Sequence, residues 1–447
     1  MNFTDRPLPN GRSTVKHSVS LSRRQFLTSS LLLGAGAAAA AGASELISTA
    51  GPAAAATQLP PPANSGIDHI VVVMMENRSF DHFFGWLPGA DGKQAGLTYV
   101  DRYAIPHQTF HQTAYASCGF HDPDHSYEGG RIELNGGKCD GWLKAGENDE
   151  LAISYYTQPD LAFLGKAATS WTACDRYFSA VMAETYPNRF YQHTAQTDRT
   201  HNSTTISTLP TIWDRLAAAG VTGRYYFSDV PFLALWGTKY LDISRPFAQF
   251  LTDAAAGQLP PVSFLDPRFE DETSGTSSDD HPHADIRAGE AFLNQVYGAV
   301  TSSPNWANTL LVINFDEWGG FFDHVAPATA PDVSPLTALR GFRVPALVIS
   351  PQARRGYVDH TVYDHTSILR AIEWRWNLPA LTPRDKAAAN IVQALDFGSA
   401  PNLTAPMFDV PQFVAAACPG DALPSEEDSE WSGLKELAVT LGWSLPA

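Results

Sequence analysis

Two apolar runs, far apart in the chain, stop at the same kind of residue. Ile70-Val71-Val72-Val73-Met74-Met75 ends in Glu76-Asn77-Arg78-Ser79-Phe80-Asp81-His82, and Leu310-Leu311-Val312-Ile313-Asn314-Phe315 ends in Asp316-Glu317-Trp318-Gly319-Gly320. Runs of this length and composition suit strands buried on both faces of a parallel sheet. Around them the pattern alternates. Residues 67–85 read strand–turn–helix. Residues 210–220 read as an amphipathic helix, with Ile212 and Leu216 one turn apart and Gly220 as C-cap. Strands are expected at 224–227, at 262–265 (stopped by Asp266-Pro267), at 309–315 and at 345–350. Helices are expected at 284–300 and from the cap Asp364-His365-Thr366-Ser367 to Trp376. Strands alternating with helices predict a mostly parallel central sheet with helices on both faces, an α/β fold. Residues 86–150, rich in Gly, Asp and His, read as long loops over the active face. Residues 419–430 read as an acidic loop, followed by a short helix around 433–441, and no solenoid repeat is present.

The N-terminal segment stands apart from this pattern. Ser22-Arg23-Arg24-Gln25-Phe26-Leu27 is a twin-arginine export pattern, followed by a Leu/Ala/Gly stretch and the small residues Ala53 to Ala56. The stretch is too weakly apolar for a membrane anchor. The division expected is a signal peptide over 1–56 and one catalytic domain over 57–447, with the twin-arginine machinery as export partner, a secreted or cell-envelope location and no integral span in the mature chain. The formal charge is −17, and about −20 without residues 1–56. That excludes a nucleic-acid binder, which needs a basic footprint. Four cysteines, Cys118, Cys139, Cys174 and Cys418, carry no CxxC zinc pattern. The favoured pairing is Cys118–Cys139, because it would close the loop that carries a histidine cluster.

In open α/β sheets, ligands gather outside the carboxyl ends of strands. Glu76, Asn77, Asp316 and Glu317 at two such ends would make an oxygen-rich pocket for one divalent cation; Ca, Mg, Mn and Zn all accept such donors. The bland alternative is that Asn77, Asp81 or Asp316 only caps a turn or helix. Thr185 stands two residues before Pro187, a residue favoured in a first helical turn, so its hydroxyl would face backbone N–H groups and the positive end of a helix dipole. An ordinary N-cap explains Thr185 equally simply and more often. Histidines repeatedly adjoin acids: His121-Asp122-Pro123-Asp124-His125, Asp280-His281, Asp323-His324, Asp359-His360 and Asp364-His365. An acid neighbour orients an imidazole and suits it to general-acid work. There is no Gly-x-Ser-x-Gly elbow, Walker A loop or Gly-x-Gly-x-x-Gly fingerprint. Loop aromatics (Trp86, Tyr103, Phe110, Tyr115, Phe120, Tyr127, Trp142) and a cluster over 227–236 either pack the loops or line a pocket for a cationic headgroup.

The run Glu76-Asn77-Arg78-Ser79-Phe80-Asp81-His82-Phe83-Phe84-Gly85 resembles the signature of the bacterial phosphoesterase family, which contains secreted phosphatidylcholine-type phospholipases C and a respiratory-burst-inhibiting acid phosphatase. The 121–125 segment, Gly136 to Gly141, Thr185-Tyr186-Pro187-Asn188-Arg189, Asp280-His281-Pro282, Phe315 to Val325, Gly341 to Pro345 and Asp364 to Leu369 are similar in the same order. The resemblance implies an alkaline-phosphatase-like α/β fold with long active-site loops and a mononuclear divalent metal on Glu76, Asn77, Asp316 and Glu317. It makes Thr185 the nucleophile and assigns His125, His121 and His281 to phosphoryl binding or leaving-group protonation. It assigns Asn188, Arg189, His324 and His365 to substrate binding. The implied substrate is a phospholipid or small phosphoester, cleaved by a phospholipase C or, alternatively, by a broad acid phosphatase on the same site. Cys139 stands where relatives often have Met, and the C-terminal β-rich domains of the large haemolytic members are expected to be absent.

Overall fold

The computed structural model describes residues 59–270, 277–413, 418 and 427–446; the twin-arginine pattern and the expected cleavage site lie outside them. Eight strands form the central sheet: β1 His69–Met75, β2 Thr172–Cys174, β3 Gly223–Phe227, β4 Ser244–Pro246, β5 Val262–Asp266, β6 Thr309–Phe315, β7 Ala346–Ile349 and β8 Tyr357–Asp359. Their order is β8-β2-β7-β6-β1-β5-β3-β4. The two apolar runs are neighbours at the centre. Both are buried, except that His69 at the start of β1 is partly exposed, as expected for strands covered on two sides. Helices Ile286–Thr301 and His365–Trp376 fall where the pattern placed them, the second capped by the Asp364 carboxylate accepting from Thr366 N–H.

Register carries the functional consequence. β1 and β6 pair in parallel from His69↔Thr309 to Met75↔Phe315, so Glu76 and Asp316 leave the sheet side by side. On the other flank β5 pairs with β1 up to Val73↔Leu265, which brings Asp266 to the same edge. The sheet is mostly parallel, as expected; β7 runs antiparallel to both its neighbours, β6 and β2. The 86–150 loops are mostly irregular, as expected, with short strands Thr98–Val100, Pro106–Gln108 and Phe110–His111 and a helix Gly129–Leu134.

Two expectations about the C-terminal region are corrected. The terminal helix spans Glu427–Thr440, so it starts within the stretch read as acidic loop; Trp431, Leu434, Ala438 and Trp443 join the main core. The disulfide is Cys118–Cys418, not Cys118–Cys139. Cys139 is buried in a satellite core with Trp142, Trp318 and Phe342, and burial pushes its thiol up to about 12. Among the described residues, no helix is long and apolar enough to cross a membrane.

Candidate active site

The buried helix Thr185–Thr194 lies against the strand ends, and every one of its residues is buried. Thr185 opens it, and Arg189 lies one turn later on the same face. The Arg189 guanidinium ties the three neighbouring strands together. Nη2 is 3.0 Å from Glu76, Nε 3.2 Å from Asp316 and Nη1 2.9 Å from Asp266. Burial alone would lower the guanidinium pKa; Glu76, Asp316 and Asp266 raise it instead. Asp266 also accepts from the Tyr225 hydroxyl, and burial raises its carboxyl pKa against the opposing effect of Arg189.

The turn after β1 is built for close approach. Asn77 adopts a left-handed φ of 58°, a conformation Asn tolerates better than most residues. Its N–H donates to Asp316 Oδ1 at 3.2 Å, and the Glu317 N–H donates to the same oxygen at 2.7 Å. Gly319, at φ +62°, lies so near that a Cβ would stand 2.1 Å from the Asn77 carbonyl oxygen. His125 donates from Nδ1 to the Pro123 carbonyl at 2.8 Å, which leaves Nε2 to accept from Asn77 Nδ2 at 3.4 Å. That contact turns the Asn77 amide so that Oδ1 faces away from His125. Asn77 Oδ1 is buried without a hydrogen-bond partner among the described residues. A buried orphan carbonyl oxygen beside two carboxylates fits a hard divalent cation, so the residues present suit the implied metal.

The histidine cluster assembles beside it. His281 Nε2 is 3.5 Å from Asp122 Oδ2, the His125 and His281 rings are 6.2 Å apart, and Asp122, His125 and His281 present potential ligand atoms within 4.8 Å of one another. The 279–281 segment is docked on the end of β1: Glu76 N–H donates to the Asp279 carbonyl at 2.8 Å, and Asp279 Oδ1 accepts from His281 N–H at 3.0 Å. A cavity of about 430 Å³ opens here, lined by His121, Asp122, Asp124, His125, Glu147, Glu184, Asn202 and Glu430 among others. Among the described residues no Phe, Tyr or Trp lines it; Trp142 is fully buried in the satellite core, and Trp86 and Tyr115 pack against the main one. Of the two readings of the loop aromatics, packing is the one seen at those three positions.

The remaining expected residues surround this centre at different depths. Asn188 accepts from Val181 N–H and donates to the carbonyls of Val181, Ala183 and Glu184, so its amide shapes the loop that presents Thr185. His365 lies behind the sheet edge. Its Nε2–H donates to the Asp316 carbonyl at 2.6 Å, and burial lowers its pKa to about 4, so it is neutral. His324 belongs to a separate polar cluster with Asp81, Asp91, Asp323 and Arg343. It pairs there with Asp81 at 2.5 Å and Asp91 at 3.1 Å, neither of which stands at the end of β1 or β6. Two further acids are buried here: Glu133, which the sequence did not mark, and Asp280, marked only as the neighbour of His281. Glu133 accepts from Trp318 Nε1 at 2.7 Å, and Asp280 sits at φ 79° with its carbonyl bound by Arg78 Nε at 2.6 Å; burial raises both carboxyl pKa values well above the ordinary range.

The chain is 29% identical to non-specific phospholipase C6 of Arabidopsis thaliana over 426 residues, covering 84% of this chain and 80% of that protein. It is 30% identical to phospholipase C B of Mycobacterium tuberculosis over 435 residues, covering 78% of this chain and 81% of that protein. It is also 30% identical to the non-hemolytic phospholipase C of Pseudomonas aeruginosa over 422 residues, 75% of this chain but only 58% of that longer protein. A solved structure in the alkaline phosphatase superfamily from Vibrio parahaemolyticus overlaps 85% of this chain and 89% of that one at 10% identity, with a TM-score of 0.37, a likeness too distant to argue from. The phosphoesterase family model matches residues 67–379, from the strand that delivers Glu76 past the helix that holds His365. The chain therefore belongs to the phosphoesterase family, hydrolases of phosphoester bonds.

Proposed function

We propose that the protein is an exported, metal-dependent phosphodiesterase of phospholipase C type that works through a phosphothreonine at Thr185. The observation that best supports this is the helix Thr185–Thr194: its first residue is a buried hydroxyl, and its next turn carries the arginine that binds Glu76 and Asp316. Thr185 Oγ1 attacks phosphorus in line with the departing glycerol oxygen, at the positive end of the helix dipole. His281, oriented by Asp122, protonates the departing alkoxide. His125 holds the Asn77 amide in place. Water then hydrolyses the phosphothreonine and releases the phosphorylated headgroup. A divalent cation held by Glu76, Asn77, Asp316 and Glu317 would neutralise charge on the phosphoryl group and lower the pKa of the attacking hydroxyl.

The cavity favours a diester. Asp122, Asp124, Glu147, Glu184 and Glu430 line it, and among the described residues no Lys or Arg does. Such a wall repels a dianionic monoester more than a monoanionic diester whose headgroup carries a positive charge. Export through the twin-arginine pathway is supported by Ser22 to Leu27. The test compares para-nitrophenyl phosphorylcholine with para-nitrophenyl phosphate, with and without chelator, in wild type and Thr185→Ala. We expect higher kcat/KM on the diester, loss of turnover on chelation, and a fall of about 10³-fold or more in Thr185→Ala with the fold intact. Activity in Thr185→Ala within about tenfold of wild type would exclude it as nucleophile. A monoester preference at every pH would move the assignment to acid phosphatase.

A further inference from the structure

The terminal helix Glu427–Thr440 lies outside the stretch that the family model matches, 67–379, yet its first turns reach the neighbours of the proposed nucleophile. Both residues that flank Thr185 are tied to it. The Tyr186 hydroxyl donates to the Glu430 carbonyl at 3.1 Å, and the Tyr186 ring packs on Trp431 with centroids 5.2 Å apart. The link to Glu184 passes through Asn202. Asn202 Nδ2 donates to the Glu430 carboxylate, Asn202 N–H donates to the Glu184 carboxylate, and Asn202 Oδ1 accepts from Tyr186 N–H at 2.7 Å. Trp431, 2% exposed, stacks on Phe269 at 3.9 Å and 2°, and the Arg189 guanidinium lies over the Phe269 ring at 4.6 Å. One turn of a helix far along the chain thus braces residues 184, 186 and, through Phe269, 189.

We propose that Glu430, acting through Asn202, is a positioning residue for Thr185, so that the C-terminal helix is part of the active site and not only of the core. The proposal rests on Thr185 being the nucleophile. The physical argument is that the Tyr186 N–H belongs to the first helical turn, where the helix itself supplies no acceptor. Asn202 Oδ1 occupies that donor and so fixes which way the turn faces, while Glu430 fixes the Asn202 amide. Loss of the Glu430 carboxylate lets the amide rotate, and a displacement of the attacking oxygen of order 1 Å costs up to about 10²-fold in rate.

The experiment measures kcat and KM on para-nitrophenyl phosphorylcholine for Glu430→Ala, Asn202→Ala, the double variant and Glu430→Gln, each with its melting temperature. We expect kcat to fall about tenfold in each alanine variant with KM within about twofold. The double variant should be no slower than the worse single one, since both break one link. Glu430→Gln, which keeps an acceptor for Asn202 Nδ2, should recover most of the loss. Wild-type kcat in Glu430→Ala, multiplicative losses in the double variant, or losses that only track the folded fraction would overturn the proposal. Retained activity in Thr185→Ala is a different result: it would remove the nucleophile itself, whatever Glu430 does.

Discussion

Asn77 shows how much one residue contributes at the site. Its backbone turns the chain at the end of β1, its N–H binds Asp316, and its amide divides between His125 and the buried pocket. If Glu76, Asn77, Asp316 and Glu317 hold a cation, replacing Glu76 or Asp316 by Ala should lower metal content and melting temperature together, because a ligand bound only by the folded state stabilises it by mass action. Elemental analysis and calorimetry check this; full metal in both variants would show the ligand set to be wrong. Their meeting at one sheet edge was legible because Glu76-Asn77 and Asp316-Glu317 each follow an apolar run, a signal that survives without any tertiary knowledge. Arg189 was legible only as part of a motif. Its role in joining Glu76, Asp316 and Asp266 depends on three strands meeting, which spacing alone does not encode. Glu133 looks like an ordinary polar residue in the sequence, and only burial distinguishes it.

At the scale of elements, the β1–β6 register aligns the site, and Gly319 lets the two strand-end turns touch. Gly319→Ala would place a methyl 2.1 Å from the Asn77 carbonyl oxygen at a positive φ. We expect a destabilisation of about 1–3 kcal/mol from overpacking, read from denaturant midpoints, together with weaker metal binding. Wild-type stability and metal affinity would show that the turns have room to part. The long central strands and the helices at 286–301 and 365–376 could be read from periodicity. The antiparallel direction of β7 could not, because an apolar run reads the same both ways. The two- and three-residue strands of the loops are too short to show a period. The disulfide expectation failed for a related reason: closing the histidine-bearing loop favoured Cys139, whereas folding brings Cys418, 300 residues away, to Cys118.

For the whole molecule, the buried acids set the response to pH. Glu290 accepts from the N–H groups of Phe163 and Leu164, yet burial outweighs them and pushes its carboxyl up to about 8. Burial also pushes Glu373 up to about 9. A folded-state pKa above the unfolded value means that the native state holds the extra proton between the two, so stability falls as pH rises through that window. For Glu290 the window runs from its ordinary 4.5 to about 8. Glu290→Gln should therefore match wild type near the acid end of that window and melt higher at its alkaline end; a gap independent of pH would show that Glu290 does not titrate there. The Cys118–Cys418 bond has another consequence. It closes a covalent ring that contains β2 to β8 but leaves β1, the central strand with Glu76 and Asn77 at its end, on the open lead-in. A single proteolytic nick is thus predicted to act in two ways on a non-reducing gel. Cut anywhere between 118 and 418, the pieces stay linked until thiol is added; cut in the loops between 86 and 117, they separate in denaturant alone. In the second case the fragment that leaves carries half of the proposed metal ligands, so the two halves of a split enzyme should regain activity only by re-pairing one strand at the middle of the sheet.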